Sequence, residues 1–205
     1  MLLNAWATNL ADFVMLKAKV PLQRRSVFVY GCELMLSTCA SILSIIVISI
    51  LVRAPYSSIT FLFVFMGIRF FSGGLHAATY LRCFILTNTV YLLTLLIASF
   101  VVPSMGAVVQ ELIVVLSTAI IIVLAPVRHK NHPLSELTYR RNKKIARAIT
   151  LAISSIIIIF LLNGISTPAL AMAVVTLMAV AIMIARGLDL AEQEILEQQE
   201  GMNMW

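Results

Sequence analysis

Apolar residues recur along this chain in runs too long for a soluble core, and polar residues gather in short intervals between them. Six such runs lie near 27–52, 55–71, 83–102, 108–126, 147–163 and 167–185. Each approaches the ~20 residues a helix needs to cross the hydrocarbon of a bilayer. The pattern predicts an all-α polytopic membrane protein with about six transmembrane helices. One variant of this class stays open. Ser72-Gly73-Gly74 breaks helical propensity, so residues 55–83 could form a re-entrant element, giving four spans plus re-entrant elements. Such backbone is tolerated at membrane depth only where protein or water covers it.

The two ends read differently from the middle. In residues 1–20, Leu2, Leu3, Trp6, Leu10, Phe13 and Val14 recur at helical spacing, with Asn4, Asn9, Asp12 and Lys17 elsewhere. That is the signature of an amphipathic helix lying at the membrane interface. Residues 187–205 carry Asp189, Glu192, Glu194, Glu197 and Glu200 and read as a solvated acidic tail that could be helical. The expected organisation is one integral membrane domain: an interfacial helix over 1–25, a transmembrane core over 27–186, and a cytoplasmic tail over 187–205. No cleavable signal peptide is expected, because no early positive charge precedes the first apolar run and no small-residue cleavage site follows it.

Composition sharpens the class. Of 205 residues, 61% are hydrophobic and 12% charged, against about 25% charged in an ordinary soluble domain. The net charge of +6 does not indicate a nucleic-acid partner, because the basic residues alternate with apolar runs as membrane orientation requires. Lys17, Lys19, Arg24 and Arg25 precede the first span, and Arg69 and Arg82 flank the loop between the second and third. Arg128, Lys130, Arg140, Arg141, Lys143, Lys144 and Arg147 are assigned to the loop between the fourth and fifth, and Arg186 follows the sixth. The alternate loops hold only Arg53. Positive charge stays cytoplasmic, so both termini are expected inside. Cys32 and Cys39 fall in or near an apolar run and read as small packing residues.

The candidate chemistry lies in Arg69-Phe-Phe-Ser-Gly-Gly-Leu-His-Ala-Ala-Thr-Tyr-Leu-Arg-Cys83. Polar groups at a membrane boundary are costly and are functional candidates by default. Cys83 is the candidate nucleophile. Positive charge from Arg82 and Arg69, or a helix N-terminus, favours the thiolate form of a cysteine. His76 could take the thiol proton and return it to a leaving amine. Gly73 and Gly74, after Ser72, permit a tight turn that presents N–H groups to an oxyanion. On one straight helix the seven-residue step from His76 to Cys83 is a rise of roughly 10 Å, so a direct pair needs a break between them. The spacing alone is a weak motif and fits better a cysteine that merely starts a span and a histidine at the interface.

The rival site is Arg128-His-Lys-Asn-His132-Pro133. Two histidines at i and i+3 could bind a metal, but no third ligand accompanies them and the surrounding positive charge repels a divalent cation. No metal and no cofactor is expected. This basic segment suits anionic lipid or an acidic peptide instead.

The Arg-x-x-Ser-Gly-Gly-x-His-x6-Cys combination resembles the accessory gene regulator B family, membrane cysteine endopeptidases that process quorum-sensing peptide precursors. Ala125-Pro-Val-Arg-His-Lys-Asn-His-Pro-Leu134 looks like that family's loop after its fourth span. The resemblance implies His76 and Cys83 as the catalytic pair, with Arg69, Gly73 and Gly74 in the surrounding motif. It implies a bacterial cell-membrane enzyme whose substrate is an autoinducer precursor with an amphipathic N-terminal helix and an acidic C-terminal tail, and it supports a homodimer. Membrane lipid is the other expected partner. Arg128, Lys130, Arg140, Arg141, Lys143 and Lys144 are the candidate tail-binding residues. The alternatives are a small peptide exporter and a non-catalytic membrane scaffold. The exporter is disfavoured by the near absence of midplane charge and of an internal repeat.

Overall fold

The computed structural model describes residues 2–18, 25–72, 80–127 and 136–203. Seven α-helices are found among them: α1 (Leu2–Ala18), α2 (Arg25–Leu51), α3 (Pro55–Ser72), α4 (Tyr80–Leu96), α5 (Ala107–Leu124), α6 (Glu136–Leu162) and α7 (Pro168–Asn203). A π-helical turn, Ile97–Val101, and a 3₁₀ turn, Val102–Ser104, extend α4. The described residues contain no strand.

Six helical stretches are long and apolar enough to cross a membrane: Arg25–Leu51, Pro55–Ser72, Leu81–Ser104, Ala107–Leu124, Glu136–Leu162 and Pro168–Asp189. The shortest have 18 residues, a length of about 27 Å at 1.5 Å per residue, close to the hydrocarbon thickness. The expected fold class therefore holds, with α3 an unbroken helix of spanning length.

The chain forms two compact units, Met1–Arg53 with Ala77–Thr89, and Ala54–His76 with Val90–Trp205. In the first, α1 runs antiparallel to the start of α2. Asp12 receives Arg25 Nε at 2.7 Å and Nη2 at 2.8 Å, and Ala7 and Ala11 are buried against Cys32, with Phe28, Val29 and Leu36 packed around them. The seam is made of small residues, which allow two helix backbones to approach closely. The bulky set that marks α1 as amphipathic is turned away: Trp6, Leu10, Phe13 and Val14 are all exposed, which leaves them free for lipid. Further along, Ser44 donates to Asn88 Oδ1 at 2.7 Å, joining α2 to α4.

In the second unit α7 is the central helix, with Met172, Val174, Leu177 and Ile184 almost fully buried. Both α7 and α6 pack on α3 and on α5, and they meet each other only slightly, so they stand on a diagonal of the four. Phe61 stacks on Phe65 with ring centres 4.9 Å apart and meets Tyr91 edge-on at 5.1 Å. The Thr118 and Ser154 hydroxyls share a hydrogen bond of 2.6 Å between α5 and α6.

The link from α6 to α7 shows its causes in the sequence. Gly164 has φ +70°, where an L side chain is strained. Its N–H donates to Leu161 O, and Ile165 N–H reaches Phe160 O, the pattern that closes a helix with a left-handed glycine. Thr167 Oγ1 then accepts from Leu170 N at 3.2 Å, with Pro168 as the first residue of α7. This is a threonine N-cap followed by proline.

One sequence expectation is revised. The basic residues Arg140, Arg141, Lys143, Lys144 and Arg147 are not in a loop, because α6 begins at Glu136 and carries all of them. The segment is rich in Arg and Lys, both favourable to helix, and a Glu136–Arg140 pair at 3.1 Å supports its first turn. The acidic tail is helical as well, continuous with the sixth span to Asn203. A charge run ends the membrane-spanning part of a helix without ending the helix.

Candidate functional site

The site residues occupy the ends of helices. Arg69 and Ser72 lie in the last turn of α3. The Arg69 guanidinium sits over the Phe65 ring at 5.2 Å and donates from Nη1 to Met183 Sδ of α7 at 3.5 Å. A cation over an aromatic face is attracted by the ring quadrupole, so Phe65 and α7 hold the charge at the end of α3. Ser72 is fully buried.

Ser72 is also tied to the chain that follows α5. Val127 N–H donates to Ser72 O at 3.0 Å, and Ala125, Pro126 and Val127 are all buried. Ser72, which opens one segment that stood out in the sequence, therefore meets Val127, which leads into the other. Nothing in the spacing of residues 72 and 127 announces that meeting. The one local signal is Pro126, which must end α5.

Arg82 and Cys83 lie together in the first turn of α4, Arg82 exposed and Cys83 half-buried. The Cys83 carbonyl accepts from Thr87 Oγ1 at 2.9 Å. Cys83 is thus among the first residues of a helix, where unpaired N–H groups and the positive end of the dipole face outward. His76, Gly73, Gly74, Arg128 and Lys130 lie outside the described residues, as do His129 and His132. Cys32, Cys39 and Cys83 are free thiols. Cys32 has the packing role expected of it, whereas Cys39 is exposed.

On α6, residues 140, 143, 144 and 147 follow the i, i+3, i+4, i+7 spacing of one helix face. Arg140 and Lys144 are exposed, Lys143 and Arg147 half-buried, and Arg141 is exposed beside them. Lys143 Nζ lies 5.9 Å from the Tyr139 ring centre. Arg147 differs from the others: its Nε donates to Ile122 O of α5 at 3.1 Å. In the first unit, Asp12 is held below the usual carboxylate range by its hydrogen bonds from Arg25. Glu111 lies near the start of α5, at the opposite end of that helix from Ala125. It is some 20 Å along the axis from the Ser72 contact. Glu33 is half-buried on α2.

Six helices of spanning length define a multi-pass membrane protein. A family model described as Accessory gene regulator B matches residues 7–184. The chain belongs to the accessory gene regulator B family and is a quorum-sensing accessory gene regulator protein, which implies involvement with an autoinducer peptide precursor. No curated protein matches the chain, and no solved structure does. The family match ends before the acidic segment that begins at Asp189.

Proposed function

We propose that this protein is a membrane cysteine endopeptidase that removes the C-terminal tail of an autoinducer precursor, with Cys83 as nucleophile and His76 as its proton acceptor and donor. The observation that carries the reading is the combination Arg69-x-x-Ser72-Gly73-Gly74-x-His76-x6-Cys83 in a chain of this family. The place of Cys83 in the first turn of α4 supports it, because a helix N-terminus favours a thiolate.

The chemistry runs in two stages. Cys83 sulfur attacks the backbone carbonyl carbon between signal sequence and tail while His76 takes the thiol proton. The C–S bond forms and the carbonyl oxygen becomes an oxyanion, which N–H groups at Gly73 and Gly74 are placed in the chain to receive. The C–N bond then breaks, the tail's new amine takes the proton from His76, and an acyl-thioester remains on Cys83. A thiol or hydroxyl within the signal sequence attacks that thioester, closes the ring and returns the thiol of Cys83. A site that excludes water favours ring closure over hydrolysis. Exchange of one thioester for another is nearly balanced, so removal of the tail drives the sequence.

The exposed face of α1, with Trp6 and Phe13, is the platform beside which an amphipathic precursor helix lies in the interface. The basic face of α6, with Arg128 and Lys130 ahead of it, receives the acidic tail. By the distribution of positive charge both termini and the site are cytoplasmic, the whole chain acts as one peptidase domain, and the working form is a homodimer. The test is cleavage of the precursor in lipid: Cys83→Ala and His76→Ala abolish it while the protein still folds. Undiminished cleavage by either variant would remove the proposed role of that residue.

A further inference from the structure

Pro126 has a consequence two helices away. In an α-helix each carbonyl accepts from the N–H four residues later. Ala125 N–H still reaches Ile121 O at 2.9 Å, so α5 is intact to that point. The next acceptor is Ile122 O, and the residue four later is Pro126, which has no N–H. Ile122 O would be an orphan at the helix end. Arg147 fills the vacancy from α6, with Nε at 3.1 Å. The residue after the proline then does something a continuing helix would not allow. Val127 N–H turns away from Val123 O and donates to Ser72 O at 3.0 Å.

These two hydrogen bonds form a relay. Arg147 holds the last turn of α5, α5 delivers the buried strap Ala125–Val127, and the strap holds the carbonyl of Ser72, the last residue of α3. The chain leaves Ser72 directly into Gly73, Gly74 and His76. The other end of the relay is the basic face: Arg147 lies three and four residues after Lys144 and Lys143, on the same side of α6. We infer that Arg147 is a positioning residue for Ser72, from which the sequence runs on to His76, coupling the basic face of α6 to the end of α3 through Ile122 O, the Ala125–Val127 strap and Ser72 O. It is distinct from the substrate-binding cations on its own face, because its Nε is engaged within the fold. This inference rests on the peptidase reading for its catalytic consequence, but the relay itself does not.

The test uses the full-length protein in lipid, with two readouts. The first is hydrogen exchange of the peptide containing Val127. Arg147→Met should raise its exchange at least tenfold, and Arg147→Lys, which retains a donor, should restore most of the protection. The second is steady-state cleavage of the precursor. Arg147→Met should lower kcat about tenfold with KM within twofold of wild type, whereas Lys143→Glu with Lys144→Glu should move KM. Unchanged exchange at Val127 in Arg147→Met overturns the relay. Faster exchange with unchanged kcat in an active enzyme overturns its positioning role. If the wild-type protein cleaves nothing, the peptidase reading falls, and the exchange data alone decide whether the relay stands.

Discussion

Reversal of Lys143 and Lys144 to Glu is the perturbation that most directly probes how an acidic tail is held. The two side chains lie on the α6 face shared with Arg140 and Arg147. Arg147 is engaged at Ile122 O and Arg140 is paired with Glu136, so the two lysines and Arg141 carry most of the unspent charge of the described part of this helix. An exposed ion pair contributes about 0.4 kcal/mol, in the middle of its usual range. Reversal replaces each attraction by a comparable repulsion. Two positions, each changing by about twice 0.4 kcal/mol, give about 1.6 kcal/mol, or roughly fifteenfold in KM. Near 0.5 M salt the screening length falls to about 4 Å, and most of this difference should vanish. The assay is precursor cleavage in lipid at salt from low to 0.5 M. Wild-type KM should rise with salt and variant KM should start high and stay nearly flat. Equal KM for both proteins at low salt would refute the assignment of the tail to this face.

Other perturbations test the fold that carries the site. Gly164→Ala meets open space but an unfavourable φ of +70°, so it should lower stability by about 1 kcal/mol, measurable as a reduced Tm, with Gly164→Asn costing less. Ala11→Leu overfills the seam beneath which Cys32 is buried and should cost about 1–3 kcal/mol of α1 docking. The readout is faster alkylation of Cys32 in detergent, and an unchanged rate would contradict the packing of α1. The Asp12–Arg25 pair should make α1 docking sensitive to acid. The Asp12 carboxyl is lowered in the folded state by its hydrogen bonds from Arg25, so its contribution is fully present above the ordinary carboxylate value near 3.9 and is lost as pH falls through the lowered one. Trp6 fluorescence or Cys32 reactivity should therefore stay flat from pH 7 to about 5 and change only below about 4, and Arg25→Gln should abolish that acid dependence.

Much of the architecture was legible in the order of residues because lipid imposes a simple rule. A span must satisfy its backbone internally and be apolar for its whole length, and all six predicted runs coincide with helices. Their limits were less legible. Arg140–Arg147 read as a loop because charge was taken as the end of a span, yet nothing between Glu136 and Arg147 breaks a helix. The seam between α1 and α2 was hidden for the opposite reason. Trp6, Leu10 and Phe13 dominate any hydrophobic pattern, whereas Ala7 and Ala11, which make the contact, contribute little to it. Cys83 and its motif were visible through unusual residue types at a helix start. The contacts of Val127 with Ser72 and of Arg147 with Ile122 were not, since they join positions distant in sequence and their acceptors are backbone carbonyls that every residue possesses.

The central claim is that Cys83 carries the acyl group of the precursor. Intact mass spectrometry of the protein in lipid, quenched in acid during turnover of the precursor, should show a mass gain equal to the precursor less its free tail, located at Cys83, with that tail in solution. The adduct should be absent in Cys83→Ala, and the tail should not be released by His76→Ala. Released tail with no adduct at Cys83, or an adduct that persists in Cys83→Ala, would contradict the account.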